Sequence, residues 1–222
     1  MRLFSLFLAL VLLTGAALGA SAPLNKDVTT TVKSDTGTAN RLGWVAIQTI
    51  SAAESSDDDQ LLNYTGGALN QTTKLIITST GTYSAYFIAQ PDVARNIIVT
   101  FNASTSGSVK LTGTDINGAS ITENITISSA SSGASTKAFK TVTRIDADLT
   151  TGQTAKTVKV GTGNLLGLNS KLSRNSVLAE FVNGVRETSA GSVTFNSTVL
   201  SLNTIDTSSA PGGYATVVYY VV

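Results

Sequence analysis

Short runs of alternating apolar and polar residues follow one another from about residue 27 to the end of the chain. Side chains alternate between the two faces of a β-strand, so a period of two predicts strands that each have one buried face. No stretch shows a convincing amphipathic helical pattern. The predicted strands cover residues 43–50, 74–80, 82–89, 96–102, 108–112, 120–127, 137–145, 156–160, 177–182, 192–200 and 214–222.

The spacing of these strands predicts an all-β fold. Strands that recur every eight to twelve residues, with turn residues between them, are typical of sandwiches and barrels rather than of βαβ units. We therefore expect an antiparallel β-sandwich, Ig-like or jelly-roll-like, with a smaller C-terminal β-hairpin unit. The predicted domains are a hydrophobic N-terminal segment at 1–22, an extended arm at 23–42, the main sandwich at 43–165 and a C-terminal β unit at 166–222.

Two turns have a clear physical reason. Asn183-Gly184 separates two strand-like runs, and this dipeptide tolerates the positive φ angles of a two-residue type I′ hairpin. Residues 115–118, Asp-Ile-Asn-Gly, separate two alternating runs in the same manner. Residues 103–107 and 128–135 are small and mostly polar, which predicts surface loops.

The last predicted strand differs from the others because it is apolar on both faces. Such a strand is either central in its own domain or covered by another subunit. Residues 214–222 are therefore predicted to be buried, in the domain or in a subunit contact. Tyr219, Tyr220 and Val221 are the candidate interface residues.

The N-terminus has the order of a secretory signal peptide. Met1 and Arg2 precede an apolar run over residues 3–13, and mostly small residues follow up to Ala22. We expect cleavage near Gly19. The alternative is a retained anchor, since residues 3–22 are about long enough to span a bilayer, and this would be the chain's only membrane contact.

The Thr-rich stretch beyond this segment has strong β propensity. An extended N-terminal strand can complete the open sheet of a neighbouring copy, because backbone pairing needs no special side chains. Val28, Thr30 and Val32 are the candidate interface residues for that role. An ordinary first strand or a frayed tail is the alternative interpretation.

The composition argues against most catalytic chemistry. The chain has no histidine and no cysteine, so it lacks an imidazole base, a thiolate nucleophile and the nitrogen and sulfur ligands of zinc, copper or haem. The formal net charge is +1, without a basic cluster for nucleic-acid phosphates. We predict a protein that is not an enzyme and does not bind nucleic acid.

Carboxylates are the remaining candidates for site chemistry. Asp57, Asp58 and Asp59 follow Glu54 in a polar stretch that is predicted to be a loop, and they are weak candidates for calcium binding. A solvated loop that keeps a sheet edge from pairing is the alternative. No other cofactor is predicted. Whether two of Asp92, Asp115, Glu123 and Asp146 face one sugar, as glycoside cleavage requires, is left open by the sequence.

Several blocks resemble structural proteins of tailed bacteriophages, over roughly residues 85–222, and their shared order supports the resemblance. The blocks are Gln90-Pro91-Asp92-Val93-Ala94-Arg95-Asn96, then Gly113-Thr114-Asp115 with Gly118, Ile121 and Glu123, then Lys137-Ala138-Phe139-Lys140-Thr141-Val142, then Gly161-Thr162-Gly163-Asn164 with Leu166-Gly167-Leu168, and Asn183-Gly184-Val185-Arg186-Glu187. Position 169 departs from the pattern, because it is Asn169 where proline is expected.

The resemblance implies a non-enzymatic virion surface component, such as a head decoration, fibre-base or tail protein. Its partners would be copies of itself and other virion or surface proteins. The predicted export signal favours an alternative, because phage structural proteins normally assemble in the cytoplasm. That alternative is an exported cell-surface or extracellular filament subunit that assembles by β-strand complementation. A carbohydrate-binding module is a third, minor possibility. The expected location is the virion surface or the cell exterior.

Overall fold

The structure is a computed structural model that describes residues 29–32, 41–65, 75–78, 85–86, 89–149, 157–189, 191–207, 209 and 211–222. The fold is all-β, with two antiparallel sheets, one of them curled into a half-barrel, and no α-helix within these ranges. This confirms the predicted fold class. The chain divides into two compact units, residues 1–44 and 45–222.

Fourteen strands and one short 3-10 turn are described. They are β1 Thr29–Val32, β2 Arg41–Ala53, β3 Asp57–Thr65, β4 Leu75–Thr78, β5 Ala85–Tyr86, β6 Arg95–Thr114, β7 Ser120–Ala134, β8 Thr141–Leu149, β9 Thr157–Gly167, β10 Val177–Val182, β11 Val185–Arg186, β12 Ser192–Thr194, the 3-10 turn Leu200–Leu202, β13 Thr204–Asp206 and β14 Tyr214–Val221. In the first unit, β1 pairs antiparallel with the first four residues of β2, from Thr29↔Trp44 to Val32↔Arg41.

The curled sheet is organised around β6, which is 20 residues long. The first part of β6 pairs with β9 and its second part pairs with β8, while β7 pairs along most of its length. On its other side β9 pairs with β3 and β13. Shifts of register between Thr100 and Gly107 mark irregular pairing in the middle of β6. Such bulges bend a strand and increase its twist, which helps the sheet to curl.

In the second sheet, residues 45–53 of β2 pair with β14, β14 pairs with β10, and β10 pairs with β11. The C-terminal strand β14 is therefore central in its sheet. One face of this sheet covers a core that includes Ile50, Leu166, Ile205, Val218 and Tyr220. The other core lies inside the curled sheet.

Both predicted turns are confirmed. Asn183 and Gly184 have φ angles of 52° and 75°, and they connect Val182 and Val185, which pair directly across the two strands. A left-handed conformation at both positions is the type I′ geometry that the sequence predicts. At the other turn, Asp115 Oδ1 accepts hydrogen bonds from the backbone amides of Asn117 and Ala119 at 2.9 and 3.0 Å.

Two loop predictions are wrong. Residues 103–107 lie within β6, and residues 128–134 lie within β7, because backbone pairing between these strands continues across the bulges. The small polar side chains there are mostly exposed, so solvent on one face explains their composition without a loop.

The acidic stretch is also different from the prediction. Asp57–Thr65 forms β3, and Asp57, Leu62, Asn63, Tyr64 and Thr65 pair with β9. Of the three aspartates, Asp57 is the one paired in this register, and Asp58 and Asp59 lie at the shift of register between Asp57 and Leu62. The predicted boundary between residues 165 and 166 falls inside β9, and strands beyond it join both sheets. The predicted leader and its cleavage site lie outside the described residues.

Candidate assembly surface

One face of the second sheet carries side chains that remain partly or largely exposed. Register places Val45, Ile47 and Thr49 of β2 opposite Val221, Tyr219 and Val217 of β14, so these side chains share one face. Ala179 and Phe181 of β10 lie opposite Tyr219 and Val217 and extend the same face. We call these eight residues the outward face. They are partly or largely exposed, and seven of the eight are apolar or aromatic.

The centre of the outward face is aromatic. The rings of Phe181 and Tyr219 meet edge to face, with their centroids 5.6 Å apart. Ile47, which pairs with Tyr219, is 42% exposed. Arg186 lies opposite Phe181 and places a cation at one margin of the face. The result is an apolar surface with an ordered aromatic pair at its middle.

Tyr220, the neighbour of Tyr219, points to the other side of the sheet and is fully buried. Its hydroxyl donates to the side-chain oxygen of Asn169 and lies 3.2 Å from Ser170 Oγ. Burial raises the pKa of this tyrosine above its usual value. Position 169, where the resemblance predicts proline, thus supplies a partner for the one polar atom of this core tyrosine. Of the three predicted C-terminal interface residues, Tyr219 and Val221 reach the outward face and Tyr220 does not.

One edge of β2 is open from Val45 to Ser51. Over this length β2 pairs with β14 on one side, and no strand among the described residues pairs with the other side. Residues 42–53 contain no charged residue and no proline. Natural sheets usually protect free edges with such residues, so an edge without them is available for pairing with another chain.

The predicted N-terminal interface residues have a partner within their own chain. Thr30 and Val32 pair with Gly43 and Arg41 in a short antiparallel ladder. Val28 lies outside the described residues. The role of this segment in another copy's sheet stays a prediction.

The weak calcium candidates come together, but a cation of the protein already lies between them. Carboxylate oxygens of Asp57, Asp58 and Asp59 are within 4.8 Å of one another. Lys159 Nζ of the adjacent strand β9 lies 3.2 Å from Asp58 Oδ1 and 3.4 Å from Asp59 Oδ2. The hydrogen bond to Asp58 is the main reason why the pKa of Lys159 is raised. A calcium ion would have to compete with this ammonium group.

Three of the five blocks that carry the bacteriophage resemblance, at residues 90–96, 137–142 and 161–168, meet at Arg95, which is fully buried. Its Nε donates to the carbonyl oxygen of Gly163 at 2.7 Å, and its Nη1 lies 3.3 Å from the carboxylate of Asp92. The backbone of Arg95 exchanges two hydrogen bonds with Phe139, at 2.8 and 3.1 Å. Residues far apart in sequence thus hold one point of the fold together.

Neighbouring contacts extend this convergence. The side-chain amide of Gln90 donates to the Val142 carbonyl and accepts from the Val142 amide, at 3.0 and 2.8 Å. The Gly167 amide donates to the Ala94 carbonyl at 2.7 Å. These three blocks therefore contact one another at the start of β6.

The carboxylates considered for sugar cleavage are each bound locally. Asp92 pairs with Arg95, Asp115 closes the β6–β7 turn, and Asp146 pairs with Arg144 at 2.6 Å. Glu123 accepts from the backbone amides of Thr136 and Lys137 at 2.7 and 2.9 Å. These bonds give each group a structural role.

The sequence did not single out Ile47 or Phe181 as surface residues, because apolar residues in strands are assigned to the core by default. The signal that could identify them is the pairing of residues 43–50 with the C-terminal strand, since only register shows which alternate positions share a face. The described ranges contain no helix that is long and apolar enough to cross a bilayer. Comparisons with protein-family models, curated proteins and solved structures find no match for this chain.

Proposed function

We propose that this chain is a non-enzymatic structural protein that assembles with copies of itself through the outward face, as a phage-like virion surface component. The observation that carries the proposal is the apolar outward face around Phe181 and Tyr219. Soluble monomers rarely expose a large contiguous apolar patch, and such patches mark interaction sites. Aromatic residues at the centre of such a patch are typical anchors of protein interfaces.

The position of the patch strengthens this argument. Val217, Tyr219 and Val221 lie on the central strand of the sheet, where packing can be flat and continuous. By contrast, the exposed positions of β7 in the curled sheet are polar, at Thr122, Asn124 and Thr126. The chain therefore uses ordinary polar residues where a strand faces water, and the outward face departs from that rule.

The contacts made by the blocks that resemble bacteriophage structural proteins support the assignment to a virion component. Three of the five blocks converge on Arg95 and stabilise the fold there, which is the expected role of shared residues in a family of structural proteins. The structural bonds of Asp92, Asp115, Glu123 and Asp146 also favour a non-enzymatic role.

Sedimentation velocity over a range of protein concentrations tests the proposal. We expect the wild-type chain to associate, and Ile47→Asp to weaken association about tenfold or more, because the patch would have to bury a charge. Thr126→Asp is the matched control, since it adds the same charge to an exposed strand position of the curled sheet. Circular dichroism should show that both variants are folded. A wild-type chain that stays monomeric, or an Ile47→Asp variant that associates like the control, would contradict the proposal.

A second candidate function is favoured by the open edge of β2. An exported filament subunit that assembles by strand complementation needs a free, uncharged sheet edge, and Val45–Ser51 offers one. Electron microscopy of the purified protein separates the two functions. Discrete closed oligomers support the virion component, whereas long fibres support the filament subunit. Portal, terminase or capsid genes beside this gene would favour the former, and secretion or surface-layer genes the latter.

A further inference from the structure

Glu180 is a buried acid in the second sheet. It lies on β10 opposite Val218, on the face that is turned toward the core, and only 3% of it is exposed. Its Oε2 accepts one hydrogen bond, from the amide of Gly191 at 3.1 Å. Its Oε1 is buried and has no hydrogen-bond partner. A carboxylate in this setting is poorly solvated, whereas a neutral carboxyl group is tolerated far better.

The charged groups around Glu180 make ionisation still less favourable. Glu187, which follows β11, and Asp206 at the end of β13 are both acids that act on Glu180. The neighbouring strand β14 has no charged residue, and Arg186 pairs with Phe181 and so belongs to the opposite face. Burial, the largest cause, and these two acids raise the pKa of Glu180, while the Gly191 hydrogen bond lowers it.

The carboxyl group also lies where two parts of the fold meet. A Cβ atom on Gly191 would lie 2.3 Å from the backbone oxygen of Asp206 and 2.9 Å from Glu180 Oε2. Glycine is required there because β10 and β13 approach the backbone of residue 191 so closely. The Glu187 amide donates to the Glu180 carbonyl at 2.9 Å. Glu180 therefore connects the β10–β11 hairpin to the segment that begins β12 and to β13.

We propose that Glu180 is a protonation-controlled latch, which holds the β10–β11 hairpin against residues 191–206 when neutral and loosens it when ionised. The direction follows from the raised pKa. Below the unfolded-state value of 4.5 the group is neutral in both states, and its stabilising effect is complete. As the pH rises through the higher folded-state pKa, that effect is lost. Phe181 of the outward face is the next residue on β10, so the latch also connects pH to that face. Only this connection rests on the proposed function.

Thermal melting of wild type and Glu180→Gln between pH 4 and pH 8 tests the latch. We expect equal melting temperatures at pH 4 and a lower melting temperature for wild type than for the variant at pH 8. In a domain of this size, each 1 kcal/mol that the ionised group costs lowers the melting temperature by about 2–4 °C. Glu187→Gln, which changes an acid outside the buried site, is the control and should retain most of the wild-type pH dependence. The protection factor of the Gly191 amide, which is the ratio of the intrinsic to the observed exchange rate and so corrects for the intrinsic rise with pH, should fall over the same range in wild type and not in Glu180→Gln.

Parallel pH profiles for wild type and Glu180→Gln would overturn the latch. If the variant fails to fold, an NMR titration of the Glu180 carboxyl carbon in wild type decides, and a pKa at or below 4.5 overturns it. A melting temperature that calcium raises in wild type but not in Glu180→Gln would also overturn it, in favour of a cation site. Thermal melting is measured on dilute protein, so this readout is independent of whether the chain assembles.

Discussion

The two sheets differ in how many of their apolar side chains are exposed to solvent. In the curled sheet, most buried apolar residues of β6, β8 and β9 belong to one core, and the exposed positions of β7 are serine, threonine and asparagine except for Ala134. In the second sheet, one face covers a core, and the other face carries valines, an isoleucine and two aromatic rings that remain partly exposed. Within the described residues, the curled sheet thus exposes mainly polar side chains along β7, whereas the second sheet exposes a largely apolar face.

Apolar residues of one strand can therefore either pack in the core or line the outward face, and the sequence alone does not distinguish these two positions. Tyr219 and Tyr220 are adjacent in the same strand, yet one lies on the outward face and the other is fully buried. Side chains one residue apart reach opposite faces of a sheet, so one strand can serve folding and assembly at once. Substitutions at these two positions should therefore have separable effects.

The largest expected effect is on stability at the buried tyrosine. Tyr220→Ala should lower the free energy of unfolding by about 3–5 kcal/mol, because it leaves a cavity in the core. Tyr219→Ala should cost much less in the monomer but should weaken association. Urea denaturation with sedimentation analysis measures both quantities. Equal losses of stability in the two variants would mean that the outward face is as buried as the core.

A smaller effect is expected at the point where the curled sheet is held together. Asp92→Asn should lower the free energy of unfolding by about 3 kcal/mol, because it leaves the buried guanidinium of Arg95 without its carboxylate. Association through the outward face should be unchanged once the variant is folded. A loss of association at temperatures where Asp92→Asn is fully folded would show that the two regions are coupled.

Local patterns in the sequence predict much of the fold. The alternating run at 177–182 matches β10, and Asn183-Gly184 predicts the following hairpin, because only a few residues tolerate positive φ at both turn positions. The apolar character of residues 214–222 predicts a last strand that is either central or covered by another subunit, and β14 lies between β2 and β10. These features depend on residues that are neighbours in the sequence or on local composition, and both can be read from the sequence alone.

Features that depend on pairing partners are not predictable in this way. The composition of Asp57–Asp59 predicts a loop, but these residues lie in β3 beside Lys159 of β9. The small residues at 103–107 also predict a loop, but they lie in β6, which pairs with β7. Glu180 interrupts an apolar run and suggests an exposed position, yet it is buried. The outward face follows from the register of three strands from distant parts of the chain, and no local pattern contains it.

Hydroxyl-radical footprinting of the chain at low and high concentration tests most directly whether the outward face is the assembly surface. Phe195, which is 47% exposed and lies outside the second sheet, serves as an internal reference. We expect the oxidation of Tyr219 and Phe181 to fall severalfold relative to Phe195 as the protein associates. If the chain associates while Tyr219 and Phe181 are oxidised as readily as in the dilute protein, another surface mediates assembly and the account is wrong.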